Sequence, residues 1–236
     1  MRTQQSRSIF FILLISALLM LQACAAHAPR GWVGTGVGRY SGAEIGYFFE
    51  VACGSEFGSS TPRIRKWMGR VRVAAEGSPT PEDLSVLEAV AGEVNRITGL
   101  ELVVFDPVSP NVVVYFVPES RFKYYEPNYV PKNYGFMWAW WRGSGEIYKA
   151  RVMISTTGIT QSARSHLIRE ELTQALGLMN DSWRYMDSVF YQGWMEVTEY
   201  SQHDRAVIEI LYNKLITPGM TRERVIEILR QTGGSS

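Results

Sequence analysis

The sequence predicts an α+β domain, and three observations predict it. Leu102 to Phe105 and Val112 to Val117 are unbroken β-branched and aromatic runs, the pattern of strands covered on both faces. Leu84, Leu87, Ala91, Val94 and Ile97 recur at helical spacing and stop at Gly99. After a last strand at Val152 to Ser155, the chain turns to helical segments: His166 to Asp181, Tyr200 to Tyr212 and Arg222 to Arg230. With 236 residues, 46% apolar and 12% aromatic, the chain is long enough for one domain with a sizeable core. Its formal charge of +1 includes Arg2 and Arg7 of an acid-free N-terminal segment, so nothing in the balance points to nucleic acid.

The elements follow in order. Arg2 and Arg7 precede the apolar run Ile9 to Leu21, which is short for a membrane span and has the layout of a secretory signal over residues 1–23. Leu21-Gln-Ala-Cys24 is similar to a bacterial lipobox, in which Cys24 is diacylated and becomes the new N-terminus. Ala26-His-Ala28 offers a competing cut, disfavoured by Pro29. Residues 24–46 read as a Gly/Ala-rich tether and 47–236 as the folded domain. Gly34-Thr-Gly-Val-Gly38 lacks the lysine and preceding strand of a phosphate loop. Tyr47 to Cys53 packs on the domain, with Cys53 a small buried hydrophobe rather than a catalytic thiol.

In the body, Val71 to Ala75 is a short strand, and Pro79-Thr-Pro-Glu82 opens the first long helix with proline and acids in its first turn. Pro107 and Pro110 mark the turn between the two covered strands. From Phe122 to Trp141, aromatic residues are too dense, and too interrupted by Pro and Asn, for one regular strand. Ser201 with Asp204 reads as a capping-box-like helix start, and Thr221 as the N-cap of the last helix. His203 reads as part of a solvated first turn.

The helix from His166 places Ile168, Leu172, Ala175, Leu176 and Met179 on one side and His166, Glu170, Gln174 and Gly177 on the other. With histidine at 170 and 174 the text would read H-E-x-x-H-x-x-G, the zincin motif. The segment resembles metzincins, and within them the matrixin branch. Glu171 stands at the catalytic glutamate, while Glu170, Gln174 and Asn180 stand at the three ligand positions, all substituted. Arg169-Glu-Glu-Leu-Thr-Gln-Ala-Leu-Gly-Leu178 with the following Asn180-Asp-Ser182 also resembles the bacterial envelope family known as domain of unknown function 2927, from about Tyr47 onward. The metzincin resemblance implies a mixed twisted sheet with a long helix on it, an active-site-type helix and a helical C-terminal part. It sets Phe190 at the methionine of the turn beneath the metal, and makes the aromatic segment an edge strand with loops above the cleft.

One carboxylate and two amides are a poor set for zinc, which prefers nitrogen and sulfur, so no zinc or other cofactor is expected. Without a metal, Glu171 reads first as a buried acceptor tying its helix to the turn at Asn180 or Ser182, and Arg169 as the neutraliser of Glu170 or Glu171. His166 reads as a polar residue in the first helical turn, or as one half of a pair with Glu170. His166, Trp138, Trp140 and Trp141 are candidate cleft residues, the indoles for stacking on a sugar or gripping a peptide. The expected protein is an envelope lipoprotein, facing the periplasm from the outer membrane. Its non-catalytic domain would bind a peptide, a glycan or an envelope protein. A secreted or free periplasmic protein is the other location. The competing function is a metal-dependent peptidase or other hydrolase, using Glu171 with an unconventional metal site.

Overall fold

The computed structural model describes residues 39–53, 63–106 and 108–232; the leader, Cys24 and most of the expected tether lie outside them. Along the chain come α1 (Gly42–Cys53), β1 (Val71–Gly77), α2 (Pro81–Thr98), β2 (Leu102–Val104) and β3 (Val112–Val117). A helical turn at Glu119–Arg121 leads into α3 (Phe122–Tyr125), then β4 (Gly135–Trp141), β5 (Ile147–Ser155), α4 (Gln161–Gln174), α5 (Gln202–Tyr212) and α6 (Arg222–Thr232). Five strands make one mixed sheet in the order β2-β1-β3-β5-β4. β1, β2, β3 and β5 run parallel, and only β4 is antiparallel, against β5. Val73, Val112, Val114, Phe116, Val152 and Ile154 are buried along the central strands, as their unbroken apolar runs require. This is the order and sheet type that the sequence predicts. No described helix is long and apolar enough to cross a membrane.

Local chemistry sets the helix ends. Thr80 caps α2 by accepting from the Asp83 amide (3.1 Å), while Asp83 accepts from the Thr80 amide (2.7 Å). Gly99, at φ 67°, closes that helix in the left-handed region. Ser201 and Asp204 make the expected reciprocal box at α5, and the Thr221 hydroxyl accepts from the Arg224 amide at the start of α6.

Three boundaries differ from the sequence reading. Ser41 and Glu44 form a capping box of their own, so α1 begins inside the expected tether, with Tyr40 already buried. Residues 42–46 are helix, and the folded part starts before residue 47. α4 starts five residues before His166, because Thr160 accepts from the Ala163 amide (3.0 Å) and caps it there. The aromatic segment divides into α3, a turn and β4, whose Gly-Phe-Met-Trp-Ala-Trp-Trp run alternates small or slender residues with bulky ones.

α4 is buried on both faces, not on one, since the sheet lies on one side and the 178–200 segment on the other. Its N-terminal end is tied to α2 through Asp83, which is fully buried. Asp83 accepts from Gln161 Nε2 (2.7 Å) and from the Arg164 guanidinium. At its C-terminal end, Gly177 sits at φ 122°, where an added Cβ would stand 2.0 Å from the Arg65 carbonyl oxygen. The glycine of the zincin-like text is therefore held by backbone packing, independent of any ligand.

Candidate functional site

The residues of the motif meet at a cleft of about 580 Å³ between the start of β4 and α4. Its floor carries His166, Glu170, Glu171, Gln174 and Asp181, and Tyr134, Phe136, Tyr191 and Trp194 stand among its walls. β4 and α4 approach closely because residue 135 is glycine: a Cβ there would lie 2.6 Å from Glu171 Oε1 and 2.8 Å from Leu167 Cδ2.

Each ligand-position side chain is spent on a protein partner. Glu170 pairs with His166 Nε2 at 3.3 Å, while His166 Nδ1 meets the Val197 carbonyl at 2.7 Å. Burial works against the charged imidazole, yet the bond to Glu170, its charge and the Val197 carbonyl outweigh that and raise the His166 pKa above its ordinary value. Gln174 Nε2 donates to Asp181 Oδ1 at 2.6 Å. Asn180 turns away altogether: its side-chain amide and its backbone amide both donate to the Val51 carbonyl of α1 at 3.0 Å. A zincin site would need three donors converging on one point. Among the described residues no cluster of three or more His, Cys, Asp or Glu side chains is placed to hold a metal, and the unconventional metal site considered from sequence does not fit these residues.

Glu171 is not the tie that the sequence suggests. Ser182 Oγ donates to Glu50 of α1 (2.5 Å) and Asn180 to Val51, so neither reaches it. Among the described residues Glu171 accepts no hydrogen bond, although it is 7% exposed. Burial first, then the like charges of Glu170 and Asp181, push its pKa well above the usual carboxylate range. Arg169 does not offset it, since its guanidinium reaches Glu93 of α2 (2.6 Å) and lies over the Tyr200 ring.

The tryptophans divide. Trp140 lines no part of the cleft; its ring lies between Lys149 and Arg151, 5.1 and 5.3 Å away. Trp141 packs under the Arg65 guanidinium at 3.9 Å, and with Trp138, Met137, Ala139 and Met179 it borders a narrow hollow along β4. Met137 and Met179 belong to both cavities, so the hollow continues the cleft along the strand. Sequence reasoning missed Tyr134 and Trp194, which meet edge-on at 6.1 Å with Trp194 60% exposed, and Asp181, whose only signal was its place beside Asn180. Phe190 is fully buried, its carbonyl accepting from the Ser182 amide. His203 is half-buried rather than fully solvated, its ring stacked on Tyr185 at 3.9 Å. Cys53 is a free thiol, half-buried rather than the fully buried hydrophobe expected from sequence, and burial pushes its pKa up to about 11.

The model of a protein family of unknown function, DUF2927, matches residues 44–231, which includes every element from α1 into α6. The chain belongs to the DUF2927 family. No curated protein sequence matches it. Two solved structures of myroilysin resemble this DUF2927 fold at 13% and 12% identity. They cover 63% of this chain in each case and 82% and 86% of their own, with TM-scores of 0.41 and 0.43.

Proposed function

We propose that this DUF2927 protein is an envelope lipoprotein, anchored through Cys24, whose domain binds an extended polypeptide along β4 and over the cleft, without metal chemistry. The observation that carries the reading is the position of β4. It is the last strand in the sheet order, hydrogen-bonded to β5, and the cleft and its hollow run beside it. Unpaired backbone groups on a strand edge are a template for an added strand, and alternate side chains of that strand need pockets. Met137, Ala139 and Met179 offer an apolar pocket, and the cleft proper a polar one. The envelope location and the lipid anchor are supported by the leader and the lipobox-like text ending at Cys24. The side chains at the ligand positions are engaged with protein partners, which favours binding with no zinc or other cofactor.

Glu171 favours a second reading. A buried carboxyl with a raised pKa and no hydrogen-bond partner is what a general acid or base needs. On that reading the protein is a metal-independent hydrolase. One incubation separates the two: polypeptides are bound by the purified full-length protein at neutral pH, released, and weighed by mass spectrometry. The binding reading expects intact peptides and an affinity indifferent to chelator. Cleavage that disappears in Glu171→Gln would establish the hydrolase.

A further inference from the structure

The cleft is larger than one side chain of an added strand requires. Its volume of about 580 Å³ falls within the range of about 300–1,000 Å³ that holds small organic ligands. Aromatic residues line it from two segments: Tyr134 from the residues entering β4, and Tyr191 and Trp194 from the stretch after Phe190. Two of these rings are seated on glycines. A Cβ at Gly193 would stand 2.5 Å from Tyr191 Cε1, and one at Gly158, which sits at φ 80°, would stand 2.9 Å from Tyr134 Cε1. Trp194 stays 60% exposed although it meets Tyr134 edge-on at 6.1 Å, and a large exposed ring beside a cavity is surface that a ligand can cover.

The floor mixes amides with acids. Glu170 pairs with His166, and Gln174 donates to Asp181. The surroundings select the ligand. Phosphate and carboxylate groups call for converging cations or N–H donors, whereas the basic lining residues are Lys132, which is exposed, and His166, which is spent on Glu170 and the Val197 carbonyl. A purely aliphatic ligand would take the polar floor out of water and offer it no partner. A hydroxyl both donates and accepts, so it suits an amide, a carboxylate or a carboxylic acid alike, and Glu171 can meet it in either protonation state. A pyranose ring joins several hydroxyls to an apolar face of C–H groups that lies against aromatic rings.

We propose that the cleft binds a pyranose sugar, carried as a glycosylated serine or threonine of the extended polypeptide on β4. This specificity rests on the polypeptide-binding reading above and is tested so that the two can fail separately. The full-length protein in a sugar-free detergent is titrated with an extended nonapeptide of valine, alanine and serine. Its central residue is serine, O-glucosyl serine, O-(N-acetylglucosaminyl) serine or tyrosine, and methyl glucoside alone is titrated beside them. Both glycopeptides are expected to bind at least about tenfold tighter than the serine and tyrosine peptides, since ring stacking and several hydrogen bonds together amount to that much. Trp194→Ala, and separately Tyr191→Ala, are expected to bring that ratio to within about threefold, each variant first checked for a native-like thermal transition.

Equal binding of the serine peptide and the glycopeptides overturns the sugar site while leaving the strand-edge reading in place. A tyrosine peptide that matches the glycopeptides does the same, because the walls then read an aromatic ring. Binding of methyl glucoside with no peptide bound overturns the strand-edge reading, and with it the polypeptide carrier. A glycopeptide preference that survives both substitutions places the sugar elsewhere and overturns the assignment to this cleft.

Discussion

Asp83→Ala is expected to lower the unfolding free energy by about 3–5 kcal/mol, the range found when one partner of a buried ion pair is removed. The Asp83 carboxylate is fully buried and accepts from three donors, the Thr80 amide, Gln161 Nε2 and the Arg164 guanidinium, while its backbone amide donates to the Thr80 hydroxyl. Removing it strands Arg164, whose side chain is 9% exposed, over the Phe116 ring, and takes away the half of the α2 capping box that the carboxylate supplies. A domain of this size holds about 5–15 kcal/mol in all, so the variant should unfold at a much lower denaturant midpoint. Pairing it with Arg164→Met should recover part of the loss by removing the stranded charge. A loss below about 1 kcal/mol would mean that α2 and α4 are not joined through this pair.

Glu171→Gln is expected to stabilise the protein at pH 8, because it removes the ionisation of a buried carboxyl that lies beside the like charges of Glu170 and Asp181. The sign follows from linkage. Burial and the charges of Glu170 and Asp181 raise the folded-state pKa of Glu171 above its unfolded value. The wild-type carboxyl is therefore favourable below the ordinary carboxylate range, near pH 4, and its stability is lost as pH rises through the folded pKa. Glutamine does not titrate, so the gain should be small near pH 4 and grow toward pH 8. Thermal unfolding of both proteins across that range reads it directly. A glutamine variant less stable than wild type at pH 8 would mean that Glu171 ties structure together, as its place in the sequence suggested. Glu171→Ala likewise should not strand donors, because among the described residues none donates to it.

Much of the fold could be read from sequence because its signals are local. The β3 run Val112–Val117 is a strand over those same six residues, and the Ser201 and Asp204 box opens α5 where the residues put it. β4 was hidden by composition: aromatic density and the prolines at 127 and 131 masked a strand that begins only at Gly135. α1 was read only as an apolar stretch because Ile45, Tyr47, Phe48, Phe49, Val51 and Ala52 are all buried, which leaves no helical alternation to see.

The site was legible in its positions and illegible in its partners. That Glu170, Glu171 and Gln174 share a helix near Asn180 follows from spacing, and the pairing of His166 with Glu170 is an i, i+4 contact that spacing allows. That Asn180 would turn to Val51 and Ser182 to Glu50, each about 130 positions away in the chain, depends on α1 packing there, which no local pattern encodes. The same distance in sequence hid the partner of Arg169, which lies on α2.

The central claim is that a polypeptide joins the sheet at β4, and backbone hydrogen exchange tests it most directly. The full-length protein is exchanged with and without a saturating extended nonapeptide of valine, alanine and serine, reading residues 135–141 against 102–104 at the opposite edge. β4 amides that face away from β5 should slow by at least about tenfold, as hydrogen-bonded strand amides do, while β2 stays unchanged. Bound peptide with unaltered exchange across residues 135–141 would contradict the account.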